Sequence, residues 1–269
     1  TMNFICVTCG TQFAESSQPP VRCPICEDER QYVGFDGQQW TTLAELRGDH
    51  HNEVREEEAH LISLVTQPKF GIGQRAFVIQ TAEGNLLWDC LSLLDDSARQ
   101  RIASMGGLRA IAISHPHYYT TMVEWSRAFG NAPVYLHEAD HEWVMQPDDS
   151  IVYWSEETSP LFGGLTLIRG GGHFEGGAML HWPQGAGGKG ALFSGDIIQV
   201  VPDRRWVSFM YSYPNYIPLG AAAVQRLVNV VQPFDFDRIY GAFSAMTIVS
   251  DGKAAISRSA DRYLTRLLS

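Results

Sequence analysis

From Leu61 onward the chain alternates short apolar runs with segments whose apolar positions recur every three to four residues. Residues 61–67 (LISLVTQ), 76–81 (AFVIQT), 85–90 (NLLWDC), 109–114 (RAIAIS) and 133–138 (PVYLHE) are too short for helices and predict buried strands. Residues 95–105 carry a helical pattern with Asp95 or Asp96 as N-cap, and residues 119–129 carry a second. Further strands are predicted at 165–170, 178–182, 191–196 and 238–243, and helices at 218–231 and 252–268. The glycine-rich stretch 183–190 reads as a hairpin loop. Strand hairpins, then strand–helix alternation, then a second round of the same theme predict an α/β protein of sheets packed on one another with helices outside.

A length of 269 residues suits one large domain with a small appendage, and the boundary is expected near residue 37, giving 1–37 and 38–269. Apolar residues make up 45% and charged residues 19%, a globular composition. No apolar run approaches the roughly 20 residues that span a bilayer. The opening TMNFICVTCG lacks a basic segment followed by a long apolar one, so a cytoplasmic location without membrane association is expected. A net charge of −10 with scattered Lys and Arg argues against general nucleic-acid binding.

Four of the five cysteines fall in the first 26 residues, as Cys6-x-x-Cys9 and Cys23-x-x-Cys26. Each pair can grip one ion on a tight turn, and two pairs complete a tetrahedral four-sulfur set. The segment resembles a zinc ribbon or rubredoxin-like element, with the intervening polar loop leading to a second hairpin. Zinc is expected there; iron suits the same tetrahedron. Four thiolates leave no open position, so the site is structural, and the ribbon is a candidate surface for a protein partner or a homo-oligomer.

Two stretches imitate nucleotide motifs. GIGQRA (71–76) has glycine spacing of that kind, but a strand follows it rather than a helix, and GAGGKG lacks the following Ser or Thr of a phosphate loop.

Chemistry concentrates after strand ends. The run Ile111–Ile113 ends at Ser114 and is followed by His115 and His117, one residue apart. His173 lies on the glycine-rich loop RGGGHFEGG, and Asp196 follows Ser194-Gly195 at the end of another strand. Asp89 ends a third. Taken singly, such histidines serve more often as hydrogen-bonded core residues than as ligands. The ordered set, from about residue 60 to 250, resembles the metallo-β-lactamase superfamily. That resemblance implies an αββα sandwich, a three-histidine metal position filled by His115, His117 and His173, and Asp196 at the bridging-carboxylate position. It also implies that Asp89 supports the site from behind.

The same pattern, H-x-H-x-D-H with a later final His, is broken here. Tyr119 and Thr120 stand where Asp and His are expected, and no histidine follows the last core strand in IYGAFSAM. The resemblance therefore implies one ion, zinc or iron, at the histidines, and loss of the usual water-orienting carboxylate. Tyr119 and Asp196 are the catalytic candidates, and Glu124, on the helix after the histidine turn, is a candidate hydrogen-bond partner for a ligand histidine. The aromatic stretch 200–220 carries Arg204, Arg205, Trp206 and Tyr211, which suit a small, partly apolar anion as substrate. The expected activity is hydrolysis of a small ester, thioester, lactone or amide. The competing expectations are a noncatalytic scaffold with an interaction ribbon, and iron-dependent redox chemistry on the same fold.

Overall fold

The computed structural model describes residues 1–269, which divide into two compact units, Thr1–Trp154 and Ser155–Ser269. No helix is long and apolar enough to cross a membrane.

The first unit begins with the cysteine-bearing ribbon. Strand β1 (Ile5–Cys6) pairs with β2 (Trp40–Thr41), and Cys23 caps the short helical turn α1 (Pro24–Glu27). The second knuckle is thus a helical turn rather than the expected hairpin, as the proline at its first position favours. Helix α2 (Leu43–Asp49) starts in a reciprocal capping box, with the Glu45 amide on Thr42 Oγ1 and the Thr42 amide on Glu45 Oε2.

A seven-stranded sheet follows in the order β3 (His51–Glu58), β4 (Leu61–Gln67), β5 (Ala76–Thr81), β6 (Gly84–Trp88), β7 (Ala110–Ala112), β8 (Val134–His137), β9 (Ile151–Trp154). Its first four strands form an antiparallel meander, and β6 to β9 run parallel, with helices α3 (Asp96–Ser104) and α4 (Met122–Ala128) in the crossovers. Asp95 is the N-cap of α3: one carboxylate oxygen accepts from the Ala98 amide and the other from the Asn52 amide. Strand β3 escapes a reading by apolar pattern because seven of its residues are exposed or half-buried; only Asn52 is buried. As the edge of the sheet it presents charge in place of apolar surface, which discourages further strand pairing.

The second unit holds a six-stranded sheet. Strands β10 (Thr158–Pro160), β11 (Thr166–Arg169), β12 (Ala178–Trp182) and β13 (Ala191–Gly195) are antiparallel neighbours. Two short hairpins intervene, β14 (Gln199–Val200) with β15 (Val207–Ser208) and β16 (Met210–Ser212) with β17 (Ile217–Pro218). The sheet then closes with β18 (Arg238–Gly241), parallel to β13, and β19 (Thr247–Ile248). Helix α5 (Ala221–Val231) turns Val224, Leu227 and Val231 inward at helical spacing, onto Ile168, Met179 and Leu192 of the sheet. Helix α6 (Gly252–Leu268) adds Ile256 and Ala260 to that core. Full burial of each large aliphatic side chain stabilises the unit by about 1.5–3 kcal/mol.

Candidate metal centres

The four ribbon cysteines are buried, and their sulfurs lie within 4.8 Å of one another. Cys6 and Cys26 approach to 3.6 Å, Cys9 and Cys23 to 3.7 Å. Thiolates bound to zinc at ~2.3 Å stand about 3.8 Å apart along a tetrahedral edge, so these two edges and the four-sulfur donor set suit one such ion. The thiols also hydrogen-bond one another. Cys23 and the other neighbours hold Cys6 below the usual thiol range and push Cys9 and Cys26 above it. Cys6 therefore sheds its proton readily, and Cys9 and Cys26 only against a positive charge, which a bound divalent cation provides. Phe13, Trp40, Trp143 and Met145 pack around it, and Gln38 Nε2 donates to Cys6 Sγ at 3.2 Å.

In the first unit, Asp89 and His115 both lie just beyond the carboxyl ends of the adjacent parallel strands β6 and β7. Asp89 Oδ1 accepts the Ser114 amide at 2.8 Å, and Ser114 Oγ lies 2.8 Å from His115 Nδ1. The buried ring of His117 sits 5.2 Å from that of His115, and Tyr118 packs against His115 at 4.4 Å. Ser114 thus engages Nδ1 of His115, which leaves Nε2 for a ligand. Asp89 holds the turn through the Ser114 amide. Glu124 is half-buried on α4 and enters none of these hydrogen bonds.

Tyr119 is buried, and burial first, then the charges of Asp140 and Tyr153, push its phenol well above its ordinary pKa. It stays protonated near neutrality, a donor rather than a base. Asp140, itself buried, is a neighbour that the sequence pattern does not reveal.

In the second unit, β11 and β13 both flank β12 antiparallel and so end at the same edge of the sheet. The loop after β11 carries His173, and Asp196 directly follows β13. Gly172 adopts φ +81° immediately before His173, a left-handed turn open to glycine at little cost. His173 Nδ1 lies 2.7 Å from the Tyr211 carbonyl oxygen. A carbonyl only accepts, so Nδ1 carries a proton and Nε2 is the ring nitrogen turned to the site. That nitrogen is 3.9 Å from Asp196 Oδ1. Tyr213 donates its hydroxyl to the Asp196 carbonyl at 2.6 Å, and burial pushes its phenol up as well.

The aromatic stretch separates into parts. Tyr211 serves His173 through its backbone. Trp206 lies under Arg262 at 3.6 Å. Arg204 and Arg205 line an open groove of ≈ 730 Å³ with Asp251 and Arg258. Arg205 is paired through both Nε and Nη2 to Asp203, at 2.9 Å each, while Arg204 has one 3.4 Å contact to the Ala245 carbonyl. The Ser114 contact had a faint signal in sequence, a hydroxyl residue directly before the histidine. The Tyr211 contact had none, because every residue offers a carbonyl.

No family model matches the chain. The uncharacterized protein YmaE of Bacillus subtilis (strain 168) is 52% identical over 268 residues, covering 99% of this chain and 97% of that protein. Among solved structures, DIM-1 metallo-β-lactamase exposed to ceftazidime aligns with a TM-score of 0.60 at 12% identity, over 80% of this chain and 98% of its own. The mono-zinc form of the metallo-β-lactamase FIM-1 from Pseudomonas aeruginosa gives 0.58 at 13% identity, over 78% and 95%. A metallo-β-lactamase from Pontibacter korlensis gives 0.56 at 14%, over 80% and 99%. At these identities the likeness establishes the fold and not the activity. The chain has the metallo-β-lactamase fold behind a four-cysteine ribbon and belongs to the family of the Bacillus subtilis protein YmaE.

Proposed function

We propose that this protein is a metal-dependent hydrolase in which His115, His117 and His173 hold a single ion with Asp196 beside it, acting on a small ester, thioester, lactone or amide. The observation that carries the reading is the orientation of His173. Its Nδ1–H is spent on the Tyr211 carbonyl, so Nε2 of this buried ring is the nitrogen that faces the Asp196 carboxylate. Ligand histidines are held in this way by an acceptor behind the ring. At His115 the Ser114 hydroxyl occupies the corresponding place behind the ring, 2.8 Å from Nδ1. When bound, the ion lowers the pKa of a water toward ~7 and polarises a substrate carbonyl.

The remaining roles fall to the chain. Asp196 accepts a hydrogen bond from the attacking water and orients it, in the absence of a carboxylate at position 119. Tyr119 offers a neutral phenol as hydrogen-bond donor to the developing oxyanion. An anionic end of the substrate is assigned to Arg204, because Arg205 is neutralised by Asp203.

Element-resolved metal analysis of the wild type, His173→Ala and Cys6→Ala, with hydrolysis assays over the four substrate classes, tests the proposal. His173→Ala is expected to lose the histidine-bound ion and the hydrolysis while keeping the thiolate-bound ion. Metal confined to the cysteines, with activity indifferent to His173→Ala, overturns it in favour of a noncatalytic scaffold. Iron at the histidines in an inactive hydrolase redirects the assignment to redox chemistry.

A further inference from the structure

The ribbon is joined to the segment that carries the histidine turn. Its first knuckle closes on itself, with the Gly10 amide on the Cys6 carbonyl at 2.8 Å and the Cys6 amide on the Thr11 carbonyl at 2.9 Å. The carbonyl of Gly10 then accepts the Ser92 hydroxyl at 2.7 Å. Gly10 has φ +80°, and a Cβ there would stand 2.3 Å from Ser92 Oγ and 3.7 Å from Thr120 Cγ2. Two residues on, the Gln12 amide donates to the Thr120 carbonyl at 3.1 Å.

Thr120 lies three residues after His117 and has φ +43°, a left-handed conformation that is unfavourable for a β-branched residue. Such strain persists only where the surroundings over-determine it. The surroundings here are the knuckle on one side and Thr121 on the other, whose hydroxyl contacts the carbonyls of Leu91 and Ser92 at 3.0 Å each. Ser92 therefore touches both the knuckle and the turn.

We infer that the ribbon is a brace for the histidine turn: an ion held by the four thiolates fixes the first knuckle, and the knuckle, through Gln12 and Ser92, holds residues 115–121 in the geometry that binds metal. Gln12 and Ser92 are positioning residues. The inference rests on the reading that His115 and His117 hold an ion. By linkage, filling the cysteine site tightens the histidine site, on the order of tenfold.

The test uses the full chain, cobalt(II) as the probe ion, and two variants. Ser92→Ala removes the hydroxyl that binds the knuckle at Gly10, keeps the Ser92 carbonyl that receives Thr121 of the turn, and leaves all cysteines in place. Cys23→Ser weakens the thiolate site itself. Cobalt at the thiolates is read by its sulfur charge-transfer absorption and cobalt at the histidines by competition with a chelator. Amide hydrogen exchange is followed at Tyr119 and Met122, whose N–H groups are bonded within the turn to Pro116 and Tyr119. Each variant is expected to speed that exchange and to weaken cobalt binding at the histidines, both on the order of tenfold, and Ser92→Ala does so with its thiolate absorption intact. Exchange and histidine-site affinity unchanged in Ser92→Ala, and in Cys23→Ser despite loss of the thiolate absorption, overturn the brace. If the wild type binds cobalt only at the thiolates, the hydrolase reading fails on its own. The exchange data then still decide whether the ribbon holds the turn.

Discussion

Ser114 Oγ lies 2.8 Å from Nδ1 of His115, and the amide of the same serine donates to Asp89 Oδ1 at 2.8 Å. Ser114→Ala keeps the backbone link to Asp89 and removes only the partner of the ring. Loss of such a supporting contact typically weakens a metal site 10- to 100-fold, so a drop of about tenfold is expected in affinity at the histidines. Chelator competition reads it, and Ser114→Thr is expected to restore the wild-type value. Equal affinities for wild type and Ser114→Ala would remove the serine from the site.

Cys90 is 0% exposed, and burial pushes its thiol up to about 12. The thiolate is the reactive form. In the native protein, iodoacetamide at mildly alkaline pH is expected to leave Cys90 unmodified, with or without a strong chelator. Chelation is expected to open Cys6, Cys9, Cys23 and Cys26 to alkylation, and mass spectrometry distinguishes the peptides. Labelling of Cys90 at the rate of the ribbon cysteines would contradict its burial.

Trp125 on α4 is 0% exposed and donates its indole N–H to the Leu91 carbonyl at 2.9 Å. Trp125→Phe retains much of the apolar volume and removes one of two donors to that carbonyl, leaving the Thr121 hydroxyl at 3.0 Å. A loss of about 0.5–1.5 kcal/mol in denaturant unfolding is expected, with no change in ribbon metal content.

Asp148 accepts from the amide and hydroxyl of Ser150, at 3.0 and 2.7 Å, and lies 3.0 Å from Arg127. These contacts, the Ser150 hydroxyl first, hold its carboxyl below the ordinary aspartate value. A depressed folded pKa means the contribution is fully present above the unfolded value, ~3.9, and is lost as the pH falls through the folded one. Asp148→Asn is expected to cost about 1 kcal/mol at neutral pH after allowance for solvent screening. The gap to wild type should close as the pH falls below ~3.9. A gap that is constant across acid pH would sink the assignment.

The parts of this protein legible in its sequence are those whose chemistry is local. The strands at 61–67, 76–81 and 178–182 and the helix at 252–268 fall where the apolar pattern put them. Their residues are buried as continuous runs or on one face, and burial is what periodicity encodes. The paired cysteines were legible for a similar reason, since two residues between thiols suffice to bring both to one ion. Strand β3 was not legible, because an edge strand of charged residues owes its form to its partner β4 and not to its own pattern.

The same division runs through the histidines. Their spacing and their places after strand ends are written in the chain, together with the absence of a carboxylate at position 119. Which nitrogen each ring offers was decided only by the tertiary structure: a serine hydroxyl behind His115, and behind His173 a carbonyl 38 residues away in sequence. Tyr119 is held protonated by burial beside Asp140, and Thr120 is held left-handed by the amide of Gln12. Residue identity sets which donors and acceptors exist. Protonation, tautomer and strain depend on what surrounds them, and distant segments supply those surroundings only once the chain has folded.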